Sequence, residues 1–232
     1  MNEAEFDKFA DEYLAMHTAS IKMSGEGPDY FAKYKIIDLQ AEYRQRSQPS
    51  AAPSILDFGA GSGTSIAHMK AHFPTSSLTC ADVSERSLAL AKSRFPTEAE
   101  YVRLGDGALP FADNHFDIIF AACVFHHIDH DEHRKILSEW FRVLRPGGLA
   151  LIYEHNPYNP LTRKVVNSCE FDVNARLITA GQMRDRFEAG GFRNPDVRYR
   201  LFFPKALSAL RPLESRLAWL PMGAQYYVAA SK

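Results

Sequence analysis

The sequence predicts an α/β fold, a three-layer sandwich in which helices cover both faces of a mostly parallel β-sheet. Short apolar runs of strand length alternate with stretches of helical periodicity between residues 54 and 153. This alternation is typical of right-handed crossovers around a buried parallel sheet. The chain has 232 residues, of which 46% are hydrophobic and 24% are charged. Such a chain suits one globular unit with a sizeable core and excludes a disordered or fibrous protein.

The elements can be justified in order by their periodicity. Apolar runs bounded by polar turns predict strands at residues 54–58, 77–81, 101–104, 116–121, 148–153, 197–203 and 225–229. Apolar positions at helical spacing predict helices at 64–72, 85–95, 131–144 and 180–190. An amphipathic stretch follows at 205–220.

The first 50 residues are predicted to form two helices in front of this unit. Aromatic and aliphatic residues recur there at helical spacing, and the turn from Ser24 to Pro28 separates the two stretches. Pro49 and Pro53 end the second helix, because proline cannot continue a helix. We therefore divide the chain into a helical segment, 1–50, and a compact domain, 51–232.

Charge and composition exclude several function classes. The chain carries 27 Lys and Arg against 28 Asp and Glu, so it lacks the basic footprint of a nucleic-acid-binding protein. It contains no apolar run of membrane-spanning length and begins without the features of a signal peptide, which predicts a cytoplasmic protein without a transmembrane segment. Cys80, Cys123 and Cys169 are widely spaced among apolar or small residues and are predicted to be reduced core thiols.

A glycine-rich loop follows the first predicted strand. Asp57 is followed by Gly59, Gly61 and Gly63, and the next helix begins at about Thr64. Glycines here allow a sharp turn and a close approach of the backbone to a ligand. A dinucleotide site would have its third glycine one residue later. Asp57 would repel a diphosphate, whereas it suits a ligand with a cationic end.

Four further segments extend this pattern in order. They are Cys80-Ala81-Asp82-Val83-Ser84, Gly105-Asp106-Gly107, the run from Phe116 to Ile128, and Arg142-Val143-Leu144-Arg145-Pro146-Gly147-Gly148. Together with the glycine loop, they resemble the motifs of class I S-adenosylmethionine-dependent methyltransferases. The resemblance covers residues 54 to 154. It implies a Rossmann-like, seven-stranded sheet with an antiparallel last strand, and S-adenosyl-L-methionine as the cofactor.

The resemblance also implies roles for single residues. Asp82 would bind the ribose, Val83 would pack on the adenine, and Asp106 would accept a hydrogen bond from its exocyclic amine. The remaining implied cofactor residues are Asp57, Gly59, Ala60, Gly61, Gly63, Gly107, Ala122 and His127. Simpler structural roles stay open for three carboxylates: Asp57 could face a helix, Asp82 could cap the next helix, and Asp106 could stabilise its turn.

The pair His126-His127 raises the question of a metal site. Adjacent side chains on a helix or strand diverge, and ligands must converge, so no metal is expected. We expect one ring to point toward the ligand loop and the other to pack under the following helix.

The reaction site should lie beyond the carboxyl ends of the strands, after the fourth and fifth. The fifth strand is followed by a polar segment with two prolines, 154–160. His155 is the first candidate for a general base, because its ordinary pKa is near neutral. It could equally orient the acceptor or be a structural loop residue. Glu154 is the second candidate, although consecutive residues of a strand point in opposite directions.

Candidate acceptor contacts come from several regions. The N-terminal helices are expected to cover the cofactor as a lid, as such extensions do in the family, with Tyr13, His17, Tyr30, Tyr34 and, from the loop, His126. Core packing is the simpler explanation for these aromatic residues. Arg163, Lys164 and Arg176 are either solvated or attract an anionic acceptor. The apolar residues between Leu201 and Leu220 could cap the pocket, form a dimer or rest on a membrane.

The leading hypothesis is a methyltransferase acting on a small-molecule acceptor, at oxygen first and nitrogen second. Residues 159–232 hold 12 Lys and Arg against 6 Asp and Glu, which favours an anionic acceptor; a lipid-like one stays open. Two alternatives are a non-catalytic S-adenosylmethionine-binding protein and an NAD(P)-dependent oxidoreductase, the latter disfavoured by the glycine spacing. The chain could be a monomer or a homodimer.

Overall fold

Seven β-strands form one sheet in the computed structural model, which describes residues 24–46, 49–105, 107–169 and 172–232. In chain order the strands are β1 (Ser54–Phe58), β2 (Ser77–Asp82), β3 (Glu100–Arg103), β4 (Phe116–Ala122), β5 (Leu144–His155), β6 (Arg193–Arg200) and β7 (Gln225–Ser231). Their order across the sheet is β3-β2-β1-β4-β5-β7-β6. Neighbours from β3 to β5 are parallel, whereas β7 is antiparallel to both β5 and β6. The predicted fold class is confirmed.

Helices cover both faces of this sheet. Within the described ranges they are α1 (Pro28–Arg46), α2 (Ile66–His72), α3 (Glu85–Arg94), α4 (His133–Val143), α5 (Pro160–Ser168), α6 (Ala180–Ala189) and α7 (Glu214–Leu217), with 3-10 helices at Phe125–His127 and Lys205–Leu213. Successive residues of β4 face opposite sides, as the period of a strand requires. Ile119 joins the buried cluster formed with α4 and α6, and Phe120 joins the cluster formed with α1 and α2.

Helix α5 was missed by the sequence analysis, which described a polar segment at 154–160 and predicted no element for the residues after it. The side chain of Asn159 accepts hydrogen bonds from the backbone N–H groups of Leu161 and Thr162, and Pro160 occupies the first turn. Both are ordinary signals of a helix start. The stretch 205–220 is mostly 3-10 helix, because Pro212 interrupts the α-helical hydrogen-bond pattern.

Helix α1 is the described part of the predicted lid. Its residues Ile36 and Leu39 are fully buried in the cluster on one face of the sheet, so this helix forms part of an outer layer of the sandwich. Tyr13 and His17 lie outside the described residues, and a lid role for that segment stays a prediction. Among the helices that the structure describes, none combines the length and the apolar character needed to cross a bilayer.

Candidate functional site

The glycine loop after β1 turns sharply at the carboxyl edge of the sheet. Gly59, Gly61 and Gly63 all have positive φ angles, of 73°, 53° and 78°. A Cβ atom on Gly59 would lie 2.5 Å from a methyl carbon of Val124, whereas one on Gly61 would meet no atom within 4 Å. Packing therefore requires glycine at position 59. At position 61 the backbone is exposed to a ligand.

Asp82 holds this loop in place from the end of β2. Its Oδ2 accepts a hydrogen bond of 2.8 Å from the backbone N–H of Gly61, and its Oδ1 accepts one of 2.9 Å from that of Ser84. Ser84, and not Asp82, caps α3, because its hydroxyl accepts from the N–H of Ser87 at 3.0 Å. A carboxylate oxygen can accept more than one hydrogen bond, so these contacts are compatible with the predicted binding of a ribose by Asp82, which stays a prediction. Val83 packs half-buried beside it.

Asp57 is a buried carboxyl group with an unused oxygen. The side chain is 2% exposed, and its Oδ2 has no hydrogen-bond partner among the described residues. Burial and the charge of Asp82 raise its pKa to about 7, although the Lys35 ammonium opposes them. A buried unpaired acceptor is costly unless a ligand supplies a donor or a cation. Asp57 therefore fits a cofactor with a positively charged end.

The third predicted cofactor loop is only partly described. Asp106 lies outside the described residues, and its predicted adenine contact stays a prediction. Gly107 has a φ of 130°, and a Cβ there would meet no atom within 4 Å. Ala60 is buried in the loop after β1, and Ala122 is half-buried at the end of β4.

Glu154 is fully buried on β5 and holds the loop after β4. Its Oε1 accepts hydrogen bonds from the backbone N–H groups of Phe125 at 2.7 Å and Val124 at 3.2 Å, and its Oε2 lies 2.6 Å from Nδ1 of His126. Burial favours the neutral forms, but the pair outweighs it: the pKa of Glu154 is lowered, and that of His126 is raised to about 10. The Glu154 carboxylate thus contacts His126 and not His155, and its catalytic role stays a prediction.

The expectation that the two adjacent histidine rings diverge is wrong. His126 and His127 lie on the tight 3-10 helix after β4, and their ring centroids are 4.1 Å apart. Both Nε2 atoms face one oxygen of Asp172, at 3.6 Å and 3.4 Å. A 3-10 turn places neighbouring side chains closer in direction than a strand does. Burial lowers the pKa of His127.

A polar cluster next to His155 was missed by the sequence analysis. Sγ of Cys123 lies 3.5 Å from Nζ of Lys35 and 3.6 Å from Nε2 of Gln225, whose amide also faces Nδ1 of His155 at 3.5 Å. Burial would raise the pKa of the Cys123 thiol, but Lys35 and His155 lower it to about 7. Cys123 is therefore not the inert core thiol that we expected. The sequence signal for this cluster was Lys35, a charged residue among the apolar positions of α1. The structure buries it to 8% exposure.

The remaining predicted acceptor residues fall into packed and exposed groups. Tyr34 is buried and donates a hydrogen bond to the Gln225 side chain, and Tyr30 is half-buried under the guanidinium of Arg211 at 4.6 Å. Three predicted basic residues are exposed. They are Arg163, Lys164 and Arg176, the last with its guanidinium 3.5 Å from Asp129.

The comparison with known families decides which domain this edge belongs to. The family model of a methyltransferase domain matches residues 56–152, from β1 through β5. This region is a methyltransferase domain. The resemblance to class I S-adenosylmethionine-dependent methyltransferases that the motifs predicted is confirmed.

Curated proteins similar to this domain are named for their own methylation reactions. The chain is 32% identical over 133 residues to a ubiquinone/menaquinone biosynthesis C-methyltransferase, UbiE, from Ectopseudomonas mendocina, covering 53% of this chain and 51% of the relative. It is 29% identical over 147 residues to a mitochondrial 2-methoxy-6-polyprenyl-1,4-benzoquinol methylase from Caenorhabditis elegans, covering 60% and 48%. The chain thus spans about half the length of these curated relatives.

A solved structure shares the fold over the whole chain. A protein from Thermotoga maritima, described as an S-adenosylmethionine-dependent methyltransferase and possible histamine N-methyltransferase, superposes with a TM-score of 0.69. The two share 18% sequence identity and cover each other completely. At this identity the likeness supports the fold, and the reaction must be argued from the site.

Proposed function

We propose that the chain binds S-adenosyl-L-methionine through Asp57, Gly61 and Asp82 and transfers its methyl group to a small-molecule acceptor. The observation that carries this proposal is the unpartnered oxygen of buried Asp57 beside the Gly61–Asp82 hydrogen bond. Asp57 would bind the cationic end of the cofactor, and Asp82 would bind the two vicinal hydroxyls of its ribose. A nicotinamide dinucleotide would bring a diphosphate to the same acidic loop, where Asp57 repels it.

The bound cofactor supplies an electrophilic methyl group on a sulfonium whose thioether is a good leaving group. The protein then has to orient the acceptor and remove its proton. His155 lies at the end of β5, half-buried, beside the Lys35–Cys123 pair. We assign it the role of general base toward an acceptor hydroxyl. Lys35 provides a positive charge that stabilises the resulting oxyanion.

The curated relatives favour an aromatic diol as the acceptor, because their names describe quinol and ubiquinone/menaquinone chemistry. The sequence favours oxygen first and nitrogen second as the methylated atom. One of these relatives is named as a C-methyltransferase and the other as a quinol methylase. Loss of the hydroxyl proton activates the acceptor for O-methylation and for C-methylation, so the base assignment serves the first step of either reaction. C-methylation then also releases the hydrogen of the methylated ring carbon. We propose a quinol-type acceptor and leave the position of the methyl group to the experiment below.

Cofactor binding can be tested separately from catalysis. Thermal shifts with S-adenosylmethionine, S-adenosylhomocysteine and NADH should show stabilisation by the first two. The variant Asp82→Ala should weaken cofactor binding by roughly 1–3 kcal/mol through loss of its hydrogen bonds. Asp185→Ala, on the exposed surface of α6, is the matched control. Stabilisation by NADH alone contradicts the proposed cofactor.

Methyl transfer requires a labelled product. The chain is incubated with methyl-¹³C S-adenosylmethionine and a short-chain benzoquinol under reducing conditions, and the product is identified by NMR. A label on a ring carbon assigns C-methylation, and a label on oxygen assigns O-methylation. Cofactor binding without any labelled product contradicts the quinol acceptor. The variant His155→Ala should lose turnover and flatten its pH profile, and a near-normal rate with an unchanged profile removes the base assignment.

A further inference from the structure

Three metal-ligating side chains converge at the acceptor side of the sheet edge. His126 and His127 come from the 3-10 helix after β4, and Asp172 comes from the loop after α5. One ligand atom from each of these residues lies within 4.8 Å of the other two. Their side chains are 1%, 9% and 13% exposed, so most of the surrounding water is already excluded.

The two contacts with Asp172 are longer than an optimal charge-assisted hydrogen bond. Nε2 of His126 lies 3.6 Å and Nε2 of His127 lies 3.4 Å from the same oxygen of Asp172. A charge-assisted N–H···O bond usually spans about 2.7–2.9 Å, and the His126–Glu154 contact is a close one at 2.6 Å. Ligand atoms bound at about 2.0–2.1 Å around a tetrahedral ion lie about 3.3 Å apart. The two Nε2–Oδ1 distances at Asp172 are therefore compatible with ligands that share one ion.

A second layer of contacts already orients one ligand. Glu154 faces Nδ1 of His126 and is itself held by the backbone N–H of Phe125 at 2.7 Å. This contact leaves Nε2 of His126 to face Asp172, and an ion bound there would displace the proton from that nitrogen. Metal-binding histidines almost always use such a carboxylate or carbonyl partner on their second nitrogen. The Glu154 carboxylate therefore provides His126 with the outer partner that a metal-binding histidine uses.

We propose that His126, His127 and Asp172 form a binding site for a divalent transition-metal ion, with Zn²⁺ as the first candidate. Two imidazole nitrogens and one carboxylate oxygen suit Zn²⁺ and its neighbours in the first transition series, whereas Mg²⁺ and Ca²⁺ prefer oxygen ligands throughout. Three protein ligands leave a fourth position for water or for an oxygen atom of a small molecule. The site needs neither S-adenosylmethionine nor an acceptor, so it is independent of the proposed function.

The test uses Co²⁺ as a spectroscopic substitute for Zn²⁺. The full chain is treated with a chelator, desalted and titrated with Co²⁺, and its visible absorption is recorded. We expect one equivalent to give the intense absorption of tetrahedral Co²⁺ and Zn²⁺ to displace it, with no displacement by Mg²⁺. The variants His127→Ala and Asp172→Asn should each lose this absorption. Circular dichroism confirms that each variant is folded.

Two further variants separate a built site from adventitious binding. His68→Ala removes a histidine that pairs with Asp29 at 2.8 Å, away from the site, and should leave the Co²⁺ spectrum unchanged. Glu154→Gln should weaken Co²⁺ binding about 10- to 100-fold, as loss of an outer-layer partner does. The proposal is overturned if the wild-type chain binds no Co²⁺, or if Asp172→Asn binds it with the wild-type spectrum and affinity.

Discussion

Two parts of the carboxyl edge of the sheet differ in how their buried carboxyl groups are paired. The cofactor half comprises the ends of β1 and β2 with the loops after them, and the acceptor half comprises the loop after β4 and the end of β5. In the cofactor half, Asp82 accepts from the backbone N–H groups of Gly61 and Ser84, and Oδ2 of Asp57 has no hydrogen-bond partner among the described residues. In the acceptor half, Glu154 satisfies two backbone N–H groups and His126 at once. Both halves bury carboxyl groups, but Asp57 keeps one oxygen without a partner among the described residues, whereas both oxygens of Glu154 are hydrogen-bonded.

This difference has an energetic meaning. A buried charge that is fully hydrogen-bonded holds its surroundings in one arrangement, and its removal leaves several groups unsatisfied. A buried charge without a partner destabilises the protein until a ligand arrives. We infer that the acceptor half is held by its own contacts, whereas the cofactor half keeps an unpaired carboxyl group for binding. Replacing Glu154 should therefore lower the free energy of unfolding, whereas replacing Asp57 in the absence of cofactor should raise it.

The largest loss of stability is expected from Glu154→Leu. This change removes the acceptor for Phe125, Val124 and His126 and leaves the buried His126 ring with only its 3.6 Å contact to Asp172. Breaking a buried pair in this way costs about 3–5 kcal/mol. Urea unfolding should show this loss, while the control Glu188→Leu on the exposed surface of α6 should change stability by less than about 0.5 kcal/mol. If Glu154→Leu and Glu188→Leu lower stability equally, then Glu154 does not hold the acceptor half in place.

The opposite sign is expected from Asp57→Asn in the absence of cofactor. The folded-state pKa of Asp57 is raised from 3.8 to about 7, so its ionisation destabilises the protein increasingly as pH rises between these values. Each pKa unit corresponds to about 1.4 kcal/mol, which gives a gain on the order of 2–4 kcal/mol for the neutral amide above pH 7. Near pH 4 the two proteins should be almost equally stable. Urea unfolding across this pH range measures the difference.

Cofactor binding should respond to the same substitution in the other direction. S-adenosylmethionine should bind Asp57→Asn at least about tenfold more weakly at pH 8, because a charge-assisted contact worth about 1.5–3 kcal/mol is lost. For the wild-type chain, affinity should increase as pH rises through 7 and the carboxylate forms. A variant that is less stable and binds the cofactor normally would contradict our interpretation of Asp57.

Two glycines of one loop provide a finer test. Gly59→Ala places a Cβ 2.5 Å from Val124, which belongs to the acceptor half, and should lower stability by about 1–3 kcal/mol through overpacking. Gly61→Ala meets no atom within 4 Å, so it carries only the cost of a left-handed alanine, about 1 kcal/mol. Its main effect should be weaker cofactor binding. Unfolding and calorimetric titration of both variants separate the two effects, and a reversed order would contradict the model.

The same contrast explains how much could be predicted from the sequence. The glycine loop, Asp82 and the alternation of strands and helices follow from local periodicity and from residues near one another in sequence. Lys35 and Gln225, by contrast, reach Cys123 from 88 and 102 positions away, and no local pattern marks such a contact. The convergence of the adjacent histidines depends on a three-residue 3-10 helix that the periodicity did not indicate.

The smallest expected effect concerns the reactivity of two thiols, Cys80 in the cofactor half and Cys123 in the acceptor half. Cys80 is fully buried on β2, and burial raises its pKa well above the ordinary value of 9. Cys123 is half-buried, with a pKa lowered to about 7. Because the thiolate is the reactive form, iodoacetamide should modify Cys123 with a pH midpoint near 7 and leave Cys80 unmodified in the folded protein. Peptide mass spectrometry after timed labelling measures both rates.

The reactivity of Cys123 is attributed to a cation from the other end of the sequence, and this can be tested directly. Lys35→Met removes the ammonium 3.5 Å from Sγ and should move the pH midpoint toward 9, with little change in stability because the methionine side chain fills the same apolar path. Lys33→Met, on the exposed side of α1, is the matched control. If the midpoint stays near 7 in Lys35→Met, then Lys35 does not tune the acceptor half, and its assignment to the oxyanion of the acceptor fails with it.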